Sequence, residues 1–74
     1  MGKLPVLKPR EVCRILENLG FSAVRQRGSH IQYRHADGRG TTVPNHPVSD
    51  ISPILLRQIA RDIGRTAEEL LQHQ

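Results

Sequence analysis

Four histidines, one cysteine and a run of arginines are the side chains with a claim to chemistry. Between Phe21 and Pro47 the chain carries Arg25, Arg27, Arg34 and Arg39 against a single acid, Asp37. Positive charge is therefore concentrated there, and His30 falls inside that run, directly after Gly28-Ser29. An imidazole among guanidiniums suits displacement at a phosphodiester. The neighbouring cations disfavour the imidazolium and favour a neutral, base-competent ring. The same guanidiniums clamp a phosphate and stabilise the charge that develops as it is displaced. RNA carries its own nucleophile, the 2′-OH, so its cleavage needs a proton acceptor, a proton donor and cationic stabilisation, with no metal. Spacing alone leaves a second reading open, in which His30 is a surface histidine without a chemical role.

The remaining candidates are weaker. His73 sits in a polar tail and is expected to be inert, and His35 is expected as a partly buried residue at a strand end. His46 lies in Pro44-Asn45-His46-Pro47, a loop held by two prolines, and joins Ser29 and Gln32 as a candidate RNA contact. No two His, Cys or carboxylate positions show a metal-ligand spacing, and a lone Cys13 excludes cysteine-rich zinc sites and an internal disulfide. No metal and no other cofactor is expected. Cys13 reads as a small apolar residue at a helix border. Ser29 and His30 form no hydrolytic pair, because adjacent strand residues face opposite ways and no orienting acid is evident. Phe21 and Tyr33, the only aromatics, belong in the core, which argues against a base-stacking platform.

Local signals place these residues on a small set of elements. Val12, Ile15, Leu16 and Leu19 recur at helical spacing. With Pro9 suited to the first helical position and Gly20 to the stop, they predict a helix from about Pro9 to Leu19. Phe21 to Arg27, His30 to His35 and Arg39 to Pro44 read as three strands. Gly28-Ser29 reads as a type II′ turn between the first two, and Asp37-Gly38 as a turn between the next two. Alternation points Val24, Ile31, Tyr33 and Val43 toward the helices and Arg25, Arg27, His30, Gln32 and Arg34 away from them.

Asn45 to Ile51 reads as a loop, and a second helix runs from about Pro53 to Ile63, with Ser52 as its cap and Gly64 as its stop. Leu56, Ile59, Ala60 and Ile63 are its buried stripe, Arg57 and Arg61 line its flank as further RNA contacts, and Ile54 projects away from that stripe. Thr66 to Glu69 has the pattern of a capping box opening a final short helix. The order α-β-β-β-α(-α) predicts an α+β, two-layer domain with helices on one face of a three-stranded antiparallel sheet.

Seventy-four residues, 36% of them hydrophobic, suffice for one thin core, expected to span about residues 7–71 of a single domain. Eleven Lys and Arg against seven Asp and Glu give a net charge of +4, which favours polyanions, nucleic acid first. No stretch resembles a secretory signal, and no apolar run approaches the roughly 20 residues of a membrane span. A reducing, cytoplasmic setting without membrane contact is expected.

Taken together, Gly20-Phe21, Arg27-Gly28-Ser29-His30, Tyr33-Arg34-His35, Val43-Pro44-Asn45-His46 and Leu56-Arg57-Gln58-Ile59 resemble the HicA-type toxins of bacterial and archaeal toxin–antitoxin pairs. The resemblance extends over roughly Leu7 to Leu71. It implies a double-stranded-RNA-binding-domain-like fold, an mRNA-cleaving ribonuclease, His30 as its catalytic histidine, and a HicB-type antitoxin as its neutralising partner. The family commonly opens the first helix with a serine or threonine cap and the second with Gly-Thr-Leu, where this chain has Lys8-Pro9 and Ile51-Ser52-Pro53. Two other functions compete with the ribonuclease. One is a non-catalytic RNA-binding module of the same fold; the other is a protein-binding domain whose arginines meet an acidic partner.

Overall fold

The computed structural model describes residues 4–46 and 49–74. The expectations for Met1 to Lys3 and for Pro47 lie outside the described residues. The elements follow the order read from the sequence: α1 (Pro9–Asn18), β1 (Ser22–Arg27), β2 (His30–Arg34), β3 (Gly40–Pro44), α2 (Pro53–Asp62) and α3 (Ala67–Leu71).

Each helix starts on a different solution to its unpaired N–H groups. Lys8 stands in the cap position of α1, and a lysine side chain cannot accept a hydrogen bond. Half a capping box forms instead: the Glu11 carboxylate accepts the Lys8 N–H at 2.8 Å, and an acid in the first turn also suits the helix dipole. Ser52 caps α2, its Oγ accepting from the Leu55 N–H at 3.2 Å. At α3 the full box closes, with Thr66 Oγ1 accepting from Glu69 N–H at 3.1 Å and Glu69 Oε1 from Thr66 N–H at 2.8 Å. Gly20 ends the α1 region in the left-handed conformation, φ 92°, where the Phe21 N–H donates to the Leu16 carbonyl at 2.9 Å.

The sheet is antiparallel in the order β1-β2-β3. Arg27 pairs with His30, Arg25 with Gln32, and Ser22 with Arg34, while His30 pairs with Pro44 and Gln32 with Thr42 across the other edge. Gly28 has φ 55° and Ser29 does not enter the left-handed region. That excludes a type I′ turn, which needs both central residues there, and fits type II′.

Both helical stripes and the inner face of β2 and β3 form the core. Val12, Ile15, Leu16, Val43, Leu56 and Ile63 are fully buried, and Tyr33 is nearly so. Leu7 and Ile51 form an isolated bridge, with the Ile51 N–H donating to Leu7 at 2.7 Å, and both side chains are buried. At the opposite end Thr41 donates to Asp62 Oδ2 at 2.9 Å, pinning α2 to β3.

Val24 is a correction. It was expected in the core but is 55% exposed, for two reasons. A β-bulge between Ala23 and Arg25 takes Val24 out of the alternation, so Ala23 stands opposite Tyr33 in its place. The helices also pack over β2 and β3, leaving every residue of β1 exposed. The bulge does not disturb the pairing of Arg25 and Arg27, which keep the polar face.

Candidate functional site

His30 is the first residue of the middle strand, paired with Arg27 on one side and Pro44 on the other. Its position comes from the tight Gly28-Ser29 turn, which reverses the chain so that Arg27 and His30 sit side by side on one face. Pro44 has no N–H to give, and the ladder resumes one residue later, where the Asn45 N–H donates to the Ser29 carbonyl at 2.5 Å.

On that face a shallow hollow of about 190 Å³ is lined by Arg25, Arg27, His30, Gln32 and Thr42, one or two residues from each strand. A neighbouring hollow of about 420 Å³ shares Gln32 and Thr42 and adds Arg34, Gly40, Thr41 and Asp62. The sheet thus brings together five of the residues picked from the sequence: Arg25, Arg27, His30, Gln32 and Arg34. Among the described residues no carboxylate lies within ion-pair distance of Arg25, Arg27 or Arg34. An incoming phosphate therefore meets guanidiniums that have no internal partner to give up. Asp62, the acid that lines the second hollow, is engaged by Thr41 and by Gln58 at 3.2 Å.

Ser29 and His46 meet beside the His30 end of β2, in a contact the spacing did not reveal. Ser29 Oγ lies 2.8 Å from His46 Nε2. Pro44, opposite His30, was the available signal, since it sets His46 only one residue beyond Asn45, the partner of Ser29. Arg57 and Arg61 are exposed on α2 but line neither hollow; the structure does not gather them with His30.

Two other groups are occupied elsewhere. Arg39, counted in the basic run, donates to Asp37 at 2.7 Å and to the Ile63 carbonyl at 2.8 Å. His35 is half-buried and packs on Phe21 with ring centroids 5.1 Å apart. A larger hollow, about 590 Å³, lies away from His30 between α1 and the inner side of β2, lined by Arg10, Glu11, Cys13, Arg14, Glu17 and Tyr33 among others. Its two arginines face two glutamates, so it lacks the net positive character of the sheet face. Burial, with Cys13 and Glu17 adding to it, pushes the Tyr33 hydroxyl upward, so it stays protonated. Among the described residues no three His, Cys, Asp or Glu side chains come together as a metal site would need.

No curated protein matches the chain. Residues 9–64 match the family described as HicA toxin of bacterial toxin-antitoxin, a stretch running from the first residue of α1 through the whole sheet to the glycine after α2. With more than half its length in that match and the expected sheet and helices in place, the chain belongs to the HicA family of toxins of bacterial toxin–antitoxin systems.

Proposed function

We propose that this toxin is a metal-independent endoribonuclease that cuts single-stranded mRNA, with His30 as its acid/base group. The observation that carries the reading is the hollow in which an exposed imidazole stands opposite Arg27 with Arg25 one pair further along the strand, neither arginine neutralised by an acid among the described residues. A scissile phosphate bound there is clamped by two guanidiniums, with Arg34 on the next phosphate and Gln32 and Ser29 as neutral hydrogen-bond partners. His30 accepts the 2′-OH proton, the 2′-oxygen attacks phosphorus, and the clamp stabilises the charge of the crowded intermediate. His46, Arg57 and Arg61 extend the contact to flanking nucleotides. The fold is read as double-stranded-RNA-binding-domain-like, the setting as cytoplasmic, and the neutralising partner as a HicB-type antitoxin. Among the described residues no helix is long and apolar enough to cross a membrane.

The test is cleavage of a bare transcript by purified protein in EDTA, with the ends of the products identified. A 2′-OH nucleophile leaves 2′,3′-cyclic phosphate or 3′-phosphate ends. Activity lost in EDTA and restored by magnesium or zinc replaces this mechanism with a metal-dependent one. RNA binding without any cleavage leaves the non-catalytic module.

A further inference from the structure

Cleavage through the 2′-OH needs two proton transfers, and His30 is one imidazole. The other must deliver a proton to the departing 5′-oxygen, which is a poor leaving group as an alkoxide. The His30 hollow contains no carboxylate. In the neighbouring hollow Asp62 is held by Thr41 and Gln58, and the Tyr33 hydroxyl faces Glu17 on the inner side of the sheet. What remains among the described residues is His46, tied to Ser29 at 2.8 Å. Resting on the ribonuclease reading above, we propose that His46 is the second catalytic group, the acid that protonates the 5′-oxygen, and that Ser29 is the residue that positions its ring.

The geometry fits a shared phosphate. Ser29 immediately precedes His30, so His46 Nε2 lies within about 9 Å of the His30 Cα, one chain step plus a serine side chain and a hydrogen bond. Two imidazoles so placed can address the two oxygens on either side of one phosphorus. The Ser29–His46 bond is also surplus to holding the loop. The Asn45 N–H already donates to the Ser29 carbonyl at 2.5 Å, and the Ser49 N–H to the His46 carbonyl at 3.2 Å. A hydrogen bond between side chains this open to water adds little to stability. It does fix the ring in both protonation states: Nε2–H donates to Oγ in the imidazolium and goes on donating to it in the neutral ring left when Nδ1 gives up its proton. Nδ1 has no hydrogen-bond partner among the described residues and is the nitrogen left to face substrate.

The step balances. His30 takes the 2′-OH proton, the 2′-oxygen–phosphorus bond forms, and the phosphorus–5′-oxygen bond breaks. The Nδ1 proton of the His46 imidazolium goes to the 5′-oxygen, giving a 2′,3′-cyclic phosphate and a 5′-hydroxyl.

The experiment is single-turnover cutting of an RNA oligonucleotide at a mapped site. It is run beside the same oligonucleotide with sulfur replacing the bridging 5′-oxygen, because a thiolate leaves without protonation. On ordinary RNA His46→Asn is expected to lose about 10²–10³-fold, and on the sulfur-bridged substrate its deficit shrinks to under about ten-fold. His30→Ala stays slow on both. Ser29→Ala, with His46 intact but untethered, shows a smaller deficit with the same rescue, and Ser29→Thr, which keeps the hydroxyl, cuts at close to the wild-type rate. If His46→Asn fails to fold, the Ser29 pair carries the test. Equal slowing of His46→Asn on both substrates, or full activity on ordinary RNA, overturns the proposal. A wild-type protein that cuts neither substrate overturns the ribonuclease reading itself.

Discussion

The two hairpin turns of the sheet are built from nearly the same residues and put them to opposite uses. The first reads Arg27-Gly28-Ser29-His30 and the second Arg34-His35-Ala36-Asp37-Gly38-Arg39. Each holds a histidine, a flanking arginine and a glycine with positive φ. In the second turn Asp37 accepts from the Arg39 backbone at 3.0 Å and its guanidinium at 2.7 Å. The Asp37 N–H donates to His35 Nδ1 at 3.1 Å, and Arg39 also lies over the Phe21 ring, 5.4 Å from its centroid. The first turn has neither a carboxylate nor an aromatic ring, and its Arg27 and His30 remain exposed. A count of cations along a chain therefore overstates what a ligand can use; the supply of internal partners decides which of them are free.

The largest effect separates the two histidines. His30→Ala is expected to lower RNA cutting by at least about 10³-fold with an unchanged melting temperature, since truncation at an exposed strand end opens no cavity. His35→Ala is expected to do the reverse, keeping the cutting rate within a few-fold while lowering the melting temperature through the lost contact with Phe21. Equal cutting by purified His30→Ala and wild-type protein breaks the assignment.

The antitoxin sharpens the same contrast. A partner that inhibits by masking covers the first turn and leaves the second alone. It should protect His30 from diethyl pyrocarbonate, leave His35 reactivity unchanged, and suppress cutting in proportion to occupancy. Free arginines around a polar strand attract an acidic partner at long range and speed its arrival. Ile54, at 79% exposed, offers an apolar anchor. Ile54→Ser should change stability by less than about 0.5 kcal/mol while weakening the complex about ten-fold, close to the transfer energy of a partly buried isoleucine. A tight complex that leaves His30 reactive and cutting unhindered excludes masking.

Salt dependence tests the arginines as a group. Three sheet arginines, with up to two more from α2, neutralise about three to five phosphates, giving a log–log slope of roughly −2 to −3.5 on single-stranded RNA. Arg25→Gln or Arg27→Gln should each flatten that slope by about 0.7, whereas Arg39→Gln should leave it alone. A double change of Arg57 and Arg61, which line neither hollow, measures how far the contact reaches along α2. A flat salt response in the wild-type protein contradicts a basic binding face.

Element order, each boundary to within one residue, and the face carried by Arg25, Arg27, His30, Gln32 and Arg34 were legible in the sequence. They rest on local rules: helical spacing, glycine stops, a two-residue turn and strict alternation. What escaped was everything set by a partner distant in sequence. Val24 alternates correctly, and only the bulge and the lateral placement of the helices expose it. Arg39 looks like its neighbours until the Ile63 carbonyl and Phe21 arrive beside it. Ser29 and His46 are 17 residues apart, and only the register of β2 against β3 joins them. Lys8 has no capping side chain, yet α1 starts on schedule because Glu11 accepts the orphan N–H.

The smallest effect concerns acid. Accepting the Arg39 N–H holds the Asp37 carboxyl below the usual carboxylate range; desolvation opposes this, and the Arg39 guanidinium and His35 add to the lowering. A carboxyl depressed in the folded state contributes stability that is present above its unfolded value and is lost as pH falls through the folded one. The window is therefore below about pH 4, the ordinary carboxylate value. Asp37→Asn keeps an acceptor for the Arg39 N–H but has no charge to titrate. It should be slightly less stable than wild type at neutral pH and lose less stability on acidification. Glu69, depressed in the same direction chiefly by the Thr66 N–H, titrates in the same window from a separate helix cap. Its Glu69→Gln variant should thus flatten the acid limb independently, and the two changes should add. Arg27→Gln should leave that limb untouched, because the first turn holds no carboxylate whose charge it could lower. An acid limb identical in wild type and Asp37→Asn means that the second turn is held by packing on Phe21 rather than by its ion pair, and the electrostatic half of the contrast between the turns then falls.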